Sequence, residues 1–228
     1  MEQRTDRAYR LSWDFDHLEI SNQENDIEIR EFPGWENTSK LTKTDLYELP
    51  EPIFFEGDFE VLPYTDFPTN NVYWPVMSRR MYYTLLALGN FPHRVIPIAI
   101  MNTRMSPFES SQSLLADGQP NPEVTNFDDF VAVQLLEESD YFDFERSEYE
   151  PSPKFPQWVR SVDRYVLTEP PEGFPPLFRL AAYSVALFIS ADARAALREA
   201  GIRGVAYEFL DNPLQDEIDN PVQLPTYS

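Results

Sequence analysis

The sequence contains no cysteine and only two histidines among its 228 residues. The absence of cysteine excludes disulfide bonds, thiolate catalysis and cysteine-based zinc sites. His17 and His93 lie far apart in the chain, no HExxH or HxH spacing occurs, and the many carboxylates form no EF-hand loop. We therefore predict that the protein binds no metal and that both histidines have structural roles.

Glycine is also scarce, and the seven glycines form neither GxGxxG nor GxxxxGK(S/T). This excludes the common phosphate-binding loops, so we expect no nucleotide cofactor and no other cofactor. A GxSxG nucleophile elbow is absent as well. Ser78 and Ser190 each precede an amphipathic helical pattern, which predicts that they cap helices and do not act as nucleophiles.

No uninterrupted apolar run approaches the about 18 residues that a membrane span requires. The N-terminus is polar and lacks the apolar centre of a signal peptide. These absences predict a cytoplasmic protein that does not enter a membrane. With 42% hydrophobic and 14% aromatic residues, the chain has enough apolar side chains for one globular domain or two small ones.

Basic residues are few: 18 lysines and arginines stand against 39 aspartates and glutamates, for a net charge of −21. A field of this sign repels nucleic acid and anionic membranes and accelerates docking to a basic protein surface. The alternative is that the charge only maintains solubility.

Two stretches share one order of elements. Residues 186–210 are typical of a buried strand, an N-cap at Ser190, a helix, a stop at Gly201 and a second strand. Residues 72–100 repeat that order, with a cap at Ser78 and a stop at Gly89 the same distance along the chain. The pattern predicts an α+β (mixed α/β) fold in which two related strand-helix-strand modules surround mixed sheets.

The N-terminal region shows apolar and polar residues in alternation. Tyr9, Leu11 and Trp13 alternate with polar residues, as do Ile27 and Ile29, which predicts an N-terminal hairpin. We divide the chain into residues 1–44 as this hairpin or edge region, 45–210 as the domain with both modules, and 211–228 as an acidic, proline-containing tail. The tail is predicted to be mobile or to lie on the surface.

The first module carries positive charge at an unusual place. Residues 67–108 include no acidic residue, and Arg79 and Arg80 occupy the first turn of the predicted helix. Cations there oppose the helix dipole by about 0.3–1 kcal/mol each. Either the two arginines form part of a functional site, or they pair with carboxylates elsewhere in this acidic chain.

Two acidic stretches are candidate binding surfaces. Residues 137–150 interleave carboxylates with aromatic rings, a composition that provides contact area and charge for a basic partner. The alternative is an element whose aromatic residues face the core while its acids face water. The predicted partner-binding residues are Glu137, Glu138, Asp140, Tyr141, Asp143, Glu145, Tyr149, Asp211, Asp216, Glu217 and Asp219.

Several blocks together resemble a known family. Residues 71–86, Asn-Val-Tyr-Trp-Pro-Val-Met-Ser-Arg-Arg-Met-Tyr-Tyr-Thr-Leu-Leu, resemble the first strand, Ser, helix block of the immunity protein 11 family of bacterial polymorphic toxin systems. Residues 130–149, a strand followed by an Asp-rich segment, are similar to its middle block. Residues 162–167, 177–180 and 187–210 are similar to its closing blocks in the same order. The resemblance covers about residues 46–210 and includes no catalytic signature. The longer loop at residues 106–126, the acidic tail and the stronger acidity depart from it.

The resemblance implies a cytoplasmic antidote that binds a toxin with a basic surface and blocks it without catalysis. Two other classes stay open: a hydrolase that uses a pair of carboxylates, and an adaptor of a secretion apparatus. The identity of the toxin and the oligomeric state do not follow from the sequence.

Overall fold

The computed structural model describes residues 7–16, 18, 24–29, 49, 51–102, 116, 121, 127–155 and 157–224. Within these residues the chain forms twelve strands, two α-helices and a short 3-10 helix, Leu62–Tyr64. Strand accounts for 42% of the structure and helix for 13%, so the protein is mostly β and the predicted α+β fold is wrong. Strands that lie outside the two predicted modules, such as Ile53–Gly57 and Glu148–Pro151, explain the excess of strand over helix.

The first sheet is antiparallel throughout, in the order β12-β11-β1-β10-β9. Its strands are β1 (Ala8–Trp13), β9 (Leu177–Leu180), β10 (Tyr183–Ser190), β11 (Val205–Phe209) and β12 (Asn212–Glu217). Strand β12 comes from the predicted tail, which therefore extends this sheet. Residues 225–228 lie outside the described part.

The second sheet has the order β2-β3-β5-β6-β4, with β3 and β5 parallel and the other pairs antiparallel. Its strands are β2 (Ile27–Ile29), β3 (Ile53–Gly57), β4 (Val76–Ser78), β5 (His93–Asn102) and β6 (Phe130–Leu135). A separate antiparallel hairpin consists of β7 (Glu148–Pro151) and β8 (Val159–Arg164).

The predicted N-terminal hairpin is wrong, because β1 and β2 belong to different sheets. Strand β1 lies between β10 and β11, whereas β2 pairs with β3. Alternation identified both segments as strands but carries no information about which strand is the partner. The division of the chain into three regions stays a prediction.

The two helices are α1 (Arg79–Leu86) and α2 (Ala191–Glu199). Each is capped as predicted: Ser78 Oγ accepts from the Met81 N–H at 3.1 Å, and Ser190 Oγ accepts from the Ala193 N–H at 3.2 Å. Helix α2 ends before Gly201, whose φ of 65° lies in the left-handed region, also as predicted. The stop predicted at Gly89 is wrong, because α1 already ends at Leu86.

Each helix connects two parallel strands that have one antiparallel strand between them. In the first unit, Ala132 of β6 pairs with Val76 of β4 on one side and with Ile96 of β5 on the other. The middle strand follows the helix in the chain, and the unit is a split strand-helix-strand arrangement.

The second unit has the same geometry. Arg10 of β1 pairs with Phe188 of β10 and with Glu208 of β11. Ile96 and Glu208, which occupy equivalent positions in the two units, are separated by the same number of residues as the two caps, Ser78 and Ser190. The repeat thus extends to strand register, although the middle strand of the second unit comes from the N-terminus.

The helices pack against each other and share one hydrophobic core with the first sheet. Met81 and Leu85 of α1 and Ala193 and Leu197 of α2 are fully buried there. Burial of each larger side chain contributes about 1.5–3 kcal/mol of hydrophobic free energy. The opposite face of the first sheet carries a separate hydrophobic cluster that includes Phe178 and Phe188, and the β7–β8 hairpin packs against it.

Candidate functional site

The acidic-aromatic segment, residues 137–150, is attached to the outer face of the first sheet by its aromatic rings. Phe142 is buried, with its ring centroid 6.3 Å from that of Tyr165. Tyr141 is half-buried, and its ring lies edge-on to Phe174 and Phe178 at 5.5 and 5.6 Å. For these two rings the alternative of core packing therefore holds.

Other aromatic rings of the same region remain exposed and surround a cleft of about 580 Å³. Phe144 is 43% exposed and Trp158 is 49% exposed. Phe155 packs on Trp158 with ring centroids 4.6 Å apart. We call this feature the aromatic cleft; its walls include Asp140, Phe142, Phe144, Tyr149, Trp158 and Ala182.

Three carboxylates near the aromatic cleft are paired within the chain. Asp143 Oδ2 accepts from Arg146 Nε at 2.6 Å, and hydrogen bonds from that arginine lower the pKa of Asp143. The next two pairs cross the β7–β8 hairpin: Glu148 binds Arg164 at 2.8 Å, and Glu150 binds Arg160. Hydrogen bonds from Arg160 lower the pKa of Glu150.

The remaining carboxylates of this segment are more available. Glu137, Asp140 and Glu145 are exposed and have no ion-pair partner among the described residues. Burial raises the pKa of Glu138, and the nearby guanidinium of Arg179 acts in the opposite direction. Asp140 is the unpaired carboxylate that lines the aromatic cleft itself.

The acids of the tail have different surroundings. Arg194 binds both Glu217, at 2.6 Å, and Asp219, at 2.9 Å, so these two carboxylates are engaged within the chain. Asp211 and Asp216 are exposed. The hairpin strand β8 packs against β12, which places the two predicted acidic stretches on neighbouring parts of the molecule.

Sequence reasoning missed one wall of the aromatic cleft. The prolines within residues 151–156 are typical of a connector. The loop between β7 and β8 nevertheless places Trp158 in the cleft wall with Asp140, and Phe155 packs on Trp158. Large aromatic residues beside prolines were a signal, since a plain linker has little use for them. The contribution of Ala182 had no signal because it comes from the distant turn between β9 and β10.

Four buried aspartates have structural roles. Asp14, Asp26, Asp58 and Asp66 each accept a hydrogen bond from at least one backbone N–H. Such bonds stabilise turns and satisfy the buried charge, so these residues do not favour a paired-carboxylate active site.

Asp66 connects the two units. It accepts from the Ser78 hydroxyl at 2.6 Å, from Arg80 Nη2 at 2.5 Å and from the Arg203 N–H at 3.0 Å. Arg80 also donates to the carbonyl of Ala200, at the C-terminal end of α2, where a cation is favourable. For Arg80, the interpretation as an intramolecular partner of a carboxylate is confirmed.

His93 bonds to the Tyr82 hydroxyl at 2.9 Å and to the Phe91 carbonyl at 2.6 Å, as a structural histidine would. His17 lies outside the described residues. Among the described residues there is no cluster of three or more potential metal ligands and no helix long and apolar enough to cross a membrane.

Comparison with known proteins gives no match, since neither a protein-family model nor a curated protein is similar to this sequence. The fold and the aromatic cleft define a mostly β protein with one candidate binding surface, lined by aromatic rings and Asp140.

Proposed function

We propose that this protein is a cytoplasmic immunity protein that binds an antibacterial toxin and blocks it without catalysis. The observation that carries the proposal is the aromatic cleft, where exposed rings surround the unpaired carboxylate of Asp140. The choice of an immunity role comes from the sequence resemblance of residues 46–210, to which the comparisons with known proteins add nothing.

The chemistry of the aromatic cleft favours a basic side chain of the toxin. A lysine or arginine that enters between Phe144, Tyr149 and Trp158 would make cation–π contacts worth about 0.5–2 kcal/mol. Its charge would meet Asp140, and its methylene groups would cover the rings. Loss of water from this region would provide affinity, as in the aromatic centres of other interfaces.

The unpaired acids have a different role in this proposal. Glu137 and Glu145 are exposed, and with the net charge of −21 they attract a basic surface over a distance. Such peripheral charges mainly change the association rate and its dependence on salt. A toxin that acts on an anionic substrate would present the arginines and lysines that this surface requires.

The first experiment expresses the product of the adjacent gene in a susceptible bacterium, with and without this protein, and counts survivors. We expect the neighbour to kill the cells and this protein to rescue them and to co-purify with the neighbour at a fixed ratio. A non-toxic neighbour, or death despite expression of this protein, would overturn the proposal.

Substitutions then locate the interface. We expect Trp158→Ala and Asp140→Lys to weaken toxin binding at least tenfold, mainly through faster dissociation. Tyr83→Ala is the matched control, because Tyr83 is an exposed aromatic residue on α1. Equal binding by the Trp158 variant and the control would show that the toxin docks elsewhere.

A second set separates charge from packing. Reversal of Glu137 and Glu145 to lysine should slow association and reduce its dependence on salt. The control reverses the same number of exposed acids, at Glu172 and Glu199. If both double variants slow association equally, net charge alone is responsible and these two acids have no special position.

A further inference from the structure

A second cleft opens where β1 and β10 separate. Their pairing runs from Ala8 opposite Ser190 to Leu11 opposite Leu187. Beyond this point β1 continues to Trp13 beside β11 alone, while β10 has an irregular register before Phe188. The space between the separated strands has a volume of about 520 Å³, which lies in the range of small-molecule sites.

The walls of this second cleft are aromatic and aliphatic. Trp13 stacks on Phe67 with ring centroids 5.5 Å apart and planes inclined by 16°, and Phe15 lies edge-on to Trp13. Tyr73 and Val185, which are 72% and 65% exposed, form part of the rim. Such exposed apolar residues around a cavity favour a ligand with an apolar body.

Backbone strain occurs at the same rim. Tyr73 has a φ of 55°, in the left-handed region that residues other than glycine seldom adopt. The adjacent Asn70 fixes this turn, since its side chain bonds to both the N–H and the carbonyl of Trp74. Strained residues held in this way are concentrated at binding and catalytic sites.

Two buried hydrogen-bond donors on residues that line the second cleft have no acceptor among the described residues, although Arg179 Nη1 donates to the Ser184 carbonyl. Arg179 lines the cleft, is only 2% exposed, and its Nε has no partner among the described residues. Trp13 Nε1 is also buried and has no hydrogen-bond acceptor among the described residues. Buried donors in this state are unfavourable unless an acceptor is supplied.

The charge of Arg179 persists at neutral pH. Burial lowers the pKa of its guanidinium to about 10, which still leaves it protonated. The other arginine of the cleft, Arg10, forms an ion pair with Glu208 at 2.7 Å and is thereby compensated. Glu138 acts on the charge of Arg179 in the same way, but Arg179 Nε has no acceptor among the described residues and can donate to a negatively charged oxygen of a ligand.

We propose that this second cleft binds a small aromatic anion, with its rings against Trp13 and Phe67 and its carboxylate or sulfonate oxygen at Arg179 Nε and Trp13 Nε1. The site lies at the ends of β1 and β10 and shares no lining residue with the aromatic cleft, so it does not depend on the proposed function.

The test titrates the full-length protein with 8-anilinonaphthalene-1-sulfonate and follows its fluorescence. We expect saturable binding of one molecule per chain. N-phenyl-1-naphthylamine has the same rings without the sulfonate and should bind at least about tenfold more weakly, because it cannot accept the two hydrogen bonds. Equal affinity for both compounds, or fluorescence that does not saturate, overturns the proposal.

Variants then assign the signal to this cleft. Val185→Trp should fill the cleft from its exposed rim and abolish binding, whereas Leu214→Trp, at an exposed position on β12, should leave it unchanged. Trp13→Phe keeps an apolar ring but removes one donor, so the affinity for the sulfonate should fall about tenfold while that for the neutral compound is retained. Near-UV circular dichroism confirms that each variant is folded, and unchanged sulfonate binding by folded Val185→Trp overturns the assignment.

Discussion

Gly204 lies directly against Thr65, so that a Cβ atom at position 204 would be 2.2 Å from Thr65 Oγ1. The contact is part of the junction between the two units, where the Asp66 N–H donates to the Arg203 carbonyl at 2.9 Å. Gly204 also has a φ of 81°, which favours glycine.

Substitution of Gly204 should therefore be costly for two reasons. We expect Gly204→Ala to lower the free energy of unfolding by about 2–4 kcal/mol, from left-handed strain and from overpacking against Thr65. Gly173→Ala is the control: Gly173 has a φ of 83° but no atom within 4 Å of the added Cβ, so it should lose only about 1 kcal/mol. Urea denaturation measures the free energy of unfolding of both variants. An equal decrease in the two would contradict the close contact between Gly204 and Thr65.

The equivalent caps of the two helices provide a second prediction. Ser78→Ala and Ser190→Ala each remove an N-cap, at about 1 kcal/mol. Ser78 also donates to the buried Asp66 at 2.6 Å, so its replacement should cost about 1.5–3 kcal/mol more than that of Ser190. The midpoints of thermal or urea unfolding report the difference, and identical costs would show that the Ser78–Asp66 bond contributes nothing.

The third prediction concerns Arg194, which lies over the rings of Tyr9 and Tyr207, at 4.5 and 4.8 Å, and binds two tail carboxylates. Arg194→Lys keeps the positive charge, but a lysine ammonium cannot form the several hydrogen bonds that the planar guanidinium makes to both carboxylates. We expect this variant to have a free energy of unfolding about 1–3 kcal/mol lower than the wild type. Arg7→Lys is the control, because Arg7 forms a long, exposed ion pair with Glu169 and should change little. Proteolysis should also release the tail faster from the Arg194 variant.

The fourth prediction concerns alkaline pH. Burial raises the pKa of both Tyr165 and Tyr207 above the usual value near 10. The folded state therefore retains these protons while the unfolded state releases them, so stability is complete below pH 10 and falls as the pH rises further. Urea midpoints at several pH values above 10 should decline less steeply in Tyr207→Phe than in the wild type. The exposed Tyr83→Phe is the control, and an unchanged slope in the Tyr207 variant would contradict the prediction.

The candidate binding surface was predictable only in part. Carboxylates interleaved with rings directed attention to residues 137–150, some of which line the aromatic cleft. Local sequence does not distinguish Phe142, which is buried, from Phe144, which is exposed. Nor does it indicate that Glu148 and Glu150 pair across a hairpin while Asp140 remains unpaired. Those outcomes depend on neighbours ten or more residues away along the chain.

The sequence by itself determined the local features of this protein. Ser78, Ser190 and Gly201 were identifiable because helix caps and left-handed stops depend on a few adjacent backbone groups. The repeated order of strand, helix and strand was visible for the same reason. Tertiary structure alone decided the predominance of strands, the separation of β1 from β2 and the insertion of β1 between β10 and β11. Strand pairing joins segments that are distant in the chain, and the stability of each pair depends on which apolar faces are buried together. The alternation of apolar and polar residues within one segment does not specify its partner.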